Sequence, residues 1–126
     1  MFYERTAGLD DFGFGAQLLH QGRHVRHRDA CRALGRFGDV RPPLAPDAFE
    51  SAAELAAWLA LQRNDLEAAA ISVAPEVGTV LETLAGEAET LLARVSGSGG
   101  TCFALCASDI EAESLAERLQ ALAPHW

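Results

Sequence analysis

Lysine is absent from this sequence of 126 residues, so its ten basic residues are all arginines. Many phosphoryl-transfer sites use a lysine as a point charge on phosphate, and this chain cannot supply one. The formal net charge is −8, and residues 42–126 hold three arginines against thirteen acidic residues. A nucleic-acid surface needs a basic face, so this acidic portion argues against nucleic acid as a partner.

Long hydrophobic runs are also missing. No stretch approaches the roughly 18–20 apolar residues that a membrane span requires. The first residues carry acidic side chains and no continuous apolar segment, so they do not resemble a signal peptide. A hydrophobic content of 49% is nevertheless enough for the core of one compact domain. We therefore expect a cytoplasmic protein with no membrane partner.

Cysteine is sparse, with only Cys31, Cys102 and Cys106 in the chain. An odd, sparse set without a secretory signal favours reduced thiols over a disulfide framework. Cys102 and Cys106 lie in an apolar run and are predicted to be small core residues.

The spacing of Cys31 from three histidines suggests one alternative, a metal site. On a continuous helix, His20, His24, His27 and Cys31 would share one face, as the ligands of a soft metal could. Gly22 and the interleaved arginines interrupt this pattern and favour a solvated basic segment. We therefore expect no metal site.

Five helices are predicted from capping residues, chain breakers and apolar periodicity. The first is HRDACRALG, which ends at Gly35, and the second runs from the Ser51 capping box to about Gln62. The third begins at Asn64–Asp65, and the fourth begins at Pro75 and ends near Gly86. The fifth follows the Ser108 capping box. In the last helix, Leu115, Leu119 and Leu122 are expected on the buried face.

Two strands are predicted, at 91–95 and 101–106, so the element order indicates an α+β fold in which a small antiparallel sheet packs with helices. Two strands make a marginal sheet, since three or more are usually needed for independent stability. Either residues 1–27 supply a further strand or the fold lacks one. Within that segment, the apolar residues around Leu18 and Leu19 could form a short strand or helix.

The loop between the two strands is unusually rich in small residues. Gly97, Gly99 and Gly100 can adopt positive φ and expose successive N–H groups toward one point, as in an anion-binding nest. Ser96, Ser98 and Thr101 add hydroxyl groups. From these residues alone, a phosphate contact and a flexible hairpin loop are equally supported.

The sequence Arg63-Asn64-Asp65 joins two of the predicted helices. Either Asn64 or Asp65 can cap the second helix through a side-chain oxygen. We interpret this stretch as a structural junction.

In combination, these motifs resemble one enzyme family. RNDLEAAAISVAPEVGTVLETL, then LLARVSGSGGTCFALCAS, then a helix and APHW are similar to the carboxyl-terminal half of the 4-diphosphocytidyl-2-C-methyl-D-erythritol kinases, a branch of the GHMP kinase superfamily. The shared pattern is an Arg-Asn-Asp-Leu junction, an Ala-Pro-Glu helix start, and a glycine loop followed by a Cys-Phe strand. The resemblance covers residues 41–126 well and HRDACRALG loosely.

The resemblance implies a fold and an activity. It implies a two-layer GHMP kinase carboxyl-terminal domain over residues 28–126, incomplete at its end, after an unassigned segment 1–27. Such kinases use ATP and Mg²⁺ to phosphorylate the 2-hydroxyl of a small-molecule substrate, 4-diphosphocytidyl-2-C-methyl-D-erythritol, in the non-mevalonate route to isoprenoids. The loop Ser96, Gly97, Ser98, Gly99, Gly100, Thr101 then supports the main phosphate loop beside the ATP site.

The sequence also departs from the family. The main ATP loop, a Pro-x-x-x-Gly-Leu-Gly-Gly-Gly-Ser-Ser pattern, and the catalytic Lys and Asp have no counterpart, so no catalytic residue is assigned. His27 and Cys31 align with a Thr and a Phe that contact the substrate, but a thiol cannot stack on cytosine as a ring does. We therefore expect a fragment that binds no cofactor tightly and is inactive alone.

Two alternatives remain open. One is a non-enzymatic α+β module that uses its glycine loop or an open sheet edge, including homodimer formation through that edge. The other is a generic α+β domain with a coincidental loop.

Overall fold

The computed structural model describes residues 16–20, 27–35 and 44–124. The elements, in chain order, are β1 (Ala16–His20), α1 (His27–Leu34), α2 (Ala52–Ala60), α3 (Asp65–Val73), α4 (Glu76–Gly86), β2 (Thr90–Ser96), β3 (Thr101–Cys106) and α5 (Asp109–Leu122). The α+β class and all five predicted helices are confirmed.

The sheet has three antiparallel strands in the order β1-β3-β2. β3 lies in the centre: Ala16 pairs with Leu105 on one side, and Val95 pairs with Cys102 on the other. An irregularity between Thr90 and Leu92 shifts the register at the start of β2. The third strand comes from the segment 1–27, which answers the question raised by a two-stranded sheet.

The main hydrophobic core lies on one face of this sheet. Successive residues of a strand point to opposite faces, and Cys102, Ala104 and Cys106 of β3 all join the same buried cluster. α3, α4 and α5 complete this cluster with apolar side chains that are fully or almost fully buried: Leu66, Val77, Val80, Leu84, Leu115 and Leu119. α1 contributes the buried Ala30 and packs against α3.

The second face of the sheet is covered by α2. Leu105, which alternates with the core residues of β3, is buried with Leu55 and Ala56 of α2. Phe49 and Trp58 pack beside them, with ring centroids 5.6 Å apart. The sheet therefore holds α2 on one side and the larger helical layer on the other.

Both predicted capping boxes are present. Ser51 Oγ accepts a hydrogen bond from the Glu54 N–H at 3.1 Å, and Ser108 Oγ accepts one from the Glu111 N–H at 3.3 Å. Each satisfies an N–H group that the first turn of a helix leaves without a partner. Gly35 follows α1 with a φ of 74°, as predicted for a glycine that ends a helix.

The expected burial of Leu122 is wrong: its side chain is 70% exposed. The buried stripe of α5 runs through Ala112, Leu115, Ala116 and Leu119, and at 100° per residue its centre lies away from position 122. The next residue on that stripe is Ala123, which is buried where the chain leaves the helix.

An ion-pair cluster ties α5 to the segment before β2. Arg118 donates hydrogen bonds to the carboxylates of Glu87 and Glu89. The Arg118 guanidinium holds the pKa of the Glu89 carboxyl below its ordinary value. These groups are partly solvated, so the cluster fixes position more than it adds stability.

None of the helices in the described ranges is long and apolar enough to cross a membrane.

The α5 stripe predicts different effects for two leucines of the same helix. We expect Leu119→Ala to lower the free energy of unfolding by about 2–5 kcal/mol, because it leaves a cavity in the core. Leu122→Ala should change it by less than about 0.5 kcal/mol, since the side chain is largely in water already. Urea denaturation of both variants measures the difference, and equal losses would contradict the assigned burial.

Candidate functional site

The glycine loop joins β2 to β3 as a four-residue turn over residues 97–100. Gly97 has a φ of 60° and Gly99 a φ of 107°, values that residues with a side chain rarely adopt. Ser96 and Thr101 flank the turn as the last paired residues of the two strands. The structure thus brings together all six residues predicted to form the loop.

The N–H groups of the loop differ in whether they have a hydrogen-bond acceptor. The Gly99 N–H reaches the Ser96 carbonyl at 3.5 Å. The N–H groups of Gly97, Ser98 and Gly100 have no acceptor within the part of the chain that the structure describes. Because successive N–H groups in such a turn can point toward one anion, the loop has the donors that a phosphate group requires.

Asn64 fastens this loop to the helices. It caps α3 through Oδ1, which accepts a hydrogen bond from the Leu66 N–H at 3.1 Å. Its Nδ2 donates to the Val95 carbonyl and to the Gly97 carbonyl, each at 3.0 Å. The predicted capping role is therefore confirmed, and the same amide also holds the end of β2 and the start of the loop.

Glu67, in the first turn of α3, completes the attachment of β2. Its Oε2 accepts a hydrogen bond from the Val95 N–H at 3.2 Å. The outward-facing N–H and carbonyl of Val95 are thus both paired with side chains of the α3 segment. This pairing covers the outer edge of β2 at Val95, where an added strand would need the same two groups.

Arg94 connects β2 to the helix on the second face of the sheet. Its Nη1 donates to the carbonyls of Leu59 and Gln62, at 2.7 and 2.5 Å. Leu59 lies in the last turn of α2 and Gln62 just beyond its end, where carbonyl groups lack their usual intrahelical donors. A cation at this end also interacts favourably with the helix dipole.

These three long-range contacts were not predicted from the sequence. Asn64 and Arg94 contact residues more than 30 positions away, and Glu67 contacts one 28 positions away. A single arginine inside the apolar strand LLARVS is the one sequence signal that could have indicated a buried acceptor. For Asn64 and Glu67 the sequence carries no comparable signal, because an N-cap asparagine and a glutamate in the first turn are common in any helix.

The cysteines of β3 are buried, as predicted. Burial raises the pKa of the Cys102 thiol from 9.0 to about 11, and the nearby Glu67 carboxylate adds to this shift. Burial likewise raises the pKa of the Cys106 thiol to about 11. Neither thiol is a candidate nucleophile at neutral pH, because the reactive form is the thiolate.

His27 and Cys31, the positions aligned with substrate contacts, lie at the start and in the middle of α1. Cys31 is half-buried and packs against the main core. The side chain of His27 lies outside the described residues. The substrate role of both residues stays a prediction.

The histidine spacing that suggested a metal site does not correspond to one continuous helix. His20 ends β1, whereas His27 and Cys31 belong to α1. His24 lies outside the described residues. In the ranges that the structure covers, no three side chains of the metal-binding types come together.

The positive φ of Gly97 yields a prediction for the loop. No atom lies within 4 Å of a Cβ built on Gly97, so a substitution there is opposed by backbone strain alone. We expect Gly97→Ala to cost about 1–2 kcal/mol of stability. Gly97→Asn should cost less, because asparagine tolerates this conformation better. Thermal unfolding of the pair measures both effects, and an equal or larger loss for Asn would contradict the assigned backbone geometry.

Comparison with known proteins identifies the family that this chain resembles. Residues 17–125 match the sequence profile of the family described as "GHMP kinases C terminal". The match begins within β1, and so includes residues that the predicted domain boundary at 28 left unassigned.

Three relatives carry the same name, 4-diphosphocytidyl-2-C-methyl-D-erythritol kinase. The protein from Caulobacter vibrioides (strain NA1000 / CB15N) is 62% identical over 90 residues, which are 71% of this chain and 31% of that protein. The protein from Hyphomonas neptunium is 48% identical over 104 residues, 82% of this chain and 33% of that protein. The protein from Cereibacter sphaeroides (strain ATCC 17025 / ATH 2.4.3) is 53% identical over 109 residues, 86% of this chain and 39% of that protein.

The chain thus spans about a third of the length of the curated relatives that it matches. The profile match over residues 17–125 includes the glycine loop described above. The profile match over 17–125 and the identity to these kinases lead to one conclusion: the chain belongs to the GHMP kinase family, through its carboxyl-terminal domain.

Proposed function

We propose that the chain is the carboxyl-terminal domain of a cytoplasmic kinase that transfers the γ-phosphoryl group of ATP to the 2-hydroxyl of 4-diphosphocytidyl-2-C-methyl-D-erythritol, in the non-mevalonate route to isoprenoids. The observation that carries this proposal is the anchored glycine loop, in a chain whose relatives are named as kinases of that substrate. The side chain of Asn64, the N-cap of α3, holds the loop at the Gly97 carbonyl, which supports a positioned loop over a flexible connection.

Within that function, the loop residues 96–101 support the phosphate groups of the nucleotide. The N–H groups of Gly97, Ser98 and Gly100 are the donors, and the hydroxyl groups of Ser96, Ser98 and Thr101 can add further ones. Magnesium ATP, when bound, supplies the phosphoryl group and the charge that neutralises it. The role of this chain is to orient and donate hydrogen bonds.

We further propose that the chain has no kinase activity by itself. Phosphoryl transfer depends on positioned positive charge, and the chain has no lysine at all. It also lacks the glycine-rich ATP loop and the catalytic aspartate that the resemblance assigns to such kinases. At position 31, a thiol stands where the family has a ring that stacks on cytosine, so substrate affinity should be weak as well.

A reconstitution experiment tests this function. The part of the Caulobacter vibrioides kinase that precedes its matched region would be co-expressed with this chain. Phosphorylation of 4-diphosphocytidyl-2-C-methyl-D-erythritol would be measured with Mg-ATP. We expect activity from the combination and none from the chain alone, because the missing charged groups then come from the other polypeptide.

The matched control replaces this chain with the corresponding carboxyl-terminal part of the Caulobacter kinase itself. If that control is active and this chain gives a complex without activity, the proposed function is wrong. Calorimetry on the chain alone provides a second test: tight binding of both Mg-ATP and the substrate would contradict the proposal that it is inactive alone.

A further inference from the structure

The side chain of Asn64 uses both of its amide atoms at once. Oδ1 accepts from the Leu66 N–H, and Nδ2 donates to the carbonyls of Val95 and Gly97. The first bond caps a helix, and the other two hold the end of a strand and the first residue of the loop. The capping bond and the loop bonds are therefore chemically separable, because one needs an acceptor and the other two need a donor.

The bond to Gly97 has a consequence for the next N–H group. The Gly97 carbonyl and the Ser98 N–H belong to one planar trans peptide unit and point in opposite directions. Because the carbonyl is held toward Asn64, the Ser98 N–H is directed away from α3, to the other side of the loop. That N–H has no acceptor among the residues described.

Because of the conformation of Gly97, the orientation of its peptide unit depends on the hydrogen bond from Asn64. With a φ of 60° and an exposed position, Gly97 has no side chain to restrict its backbone. Its peptide unit could rotate and turn the Ser98 N–H toward the helices. Nδ2 of Asn64 donates to the one loop carbonyl whose direction decides this orientation.

We propose that Asn64 is a positioning residue for the glycine loop: it orients the Gly97–Ser98 peptide unit so that the Ser98 N–H faces a phosphate group. This inference rests on the proposed function, because the ligand is the phosphate chain of the nucleotide. Asn64 does not touch the ligand itself. It acts through the carbonyl that it holds.

Asn64→Ser separates the two roles of the residue. Serine is as good an N-cap as asparagine, so the bond to the Leu66 N–H has a replacement. Its side chain is too short to donate across to the Gly97 carbonyl. Aspartate would also keep the cap, but its charge would repel an anion and obscure the result.

Ser108→Ala is the matched control. It removes the cap of α5, which lies beyond the end of β3 opposite to the loop. Ser108 Oγ accepts only from the Glu111 N–H within the described part of the chain. This variant therefore loses a cap without disturbing the glycine loop.

The experiment follows backbone amide resonances of the intact chain by nuclear magnetic resonance. Inorganic tripolyphosphate is the probe, and the shift of the Ser98 amide gives its apparent affinity. We expect Asn64→Ser to weaken that affinity by about tenfold, and to lower the melting temperature as well, because the carbonyls of Val95 and Gly97 lose their donor. Ser108→Ala should lower the melting temperature and leave the affinity unchanged. Wild-type affinity in Asn64→Ser, or equal weakening in both variants, would overturn the proposal.

A second measurement without ligand separates this inference from the proposed function. We expect an order parameter near about 0.85 for the Ser98 amide of the wild-type chain and below about 0.6 in Asn64→Ser. If wild-type Ser98 does not respond to tripolyphosphate, the phosphate role of the loop is contradicted. If the order parameter is unchanged by Asn64→Ser, the positioning role is contradicted whatever the probe does.

Discussion

The side-chain amide of Asn64 is the interaction on which the arrangement around the glycine loop depends. It begins α3, closes the outer edge of β2, and holds the first residue of the loop. Asn64 precedes Val95 by 31 positions and Gly97 by 33, so the start of α3 has no covalent reason to meet the strand and its loop. One asparagine suffices because an amide offers a donor and an acceptor on the same rigid group. The loop is thereby placed relative to the helices.

The other contacts between β2 and the helices follow the same principle. In each, a side chain pairs with a backbone N–H or carbonyl group that has no partner within a helix or strand. Glu67 accepts a hydrogen bond from the N–H of Val95, and Arg94 donates to the carbonyls of Leu59 and Gln62, at and just beyond the end of α2. A helix end and a strand edge are the two places where such groups remain unpaired. Partly buried polar side chains thus connect α2, α3 and β2. A loop supported in this way can present its N–H groups to a ligand with little loss of entropy on binding.

The sequence was sufficient for features that depend on neighbouring residues. The capping boxes at Ser51 and Ser108, the helix stop at Gly35 and the turn over residues 97–100 are all local, and all are present. Contacts between residues that are distant in the sequence could not be predicted from it. The bonds of Asn64 to β2 span more than 30 residues, and nothing in an Arg-Asn-Asp junction identifies the strand that it will contact. The exposure of Leu122 was missed because the leucine spacing alone does not show that the buried stripe is centred on Ala112, Ala116 and Leu119 and continues to Ala123.

Scalar couplings transmitted through hydrogen bonds test the central claim most directly. In the isotope-labelled chain, the side-chain nitrogen of Asn64 should show couplings to the carbonyl carbons of both Val95 and Gly97. Its two amide protons should also exchange with water more slowly than those of the unfolded chain. Couplings to both carbonyls are the predicted result. An Asn64 side-chain amide without either coupling, exchanging as fast as in the unfolded chain, would contradict the account.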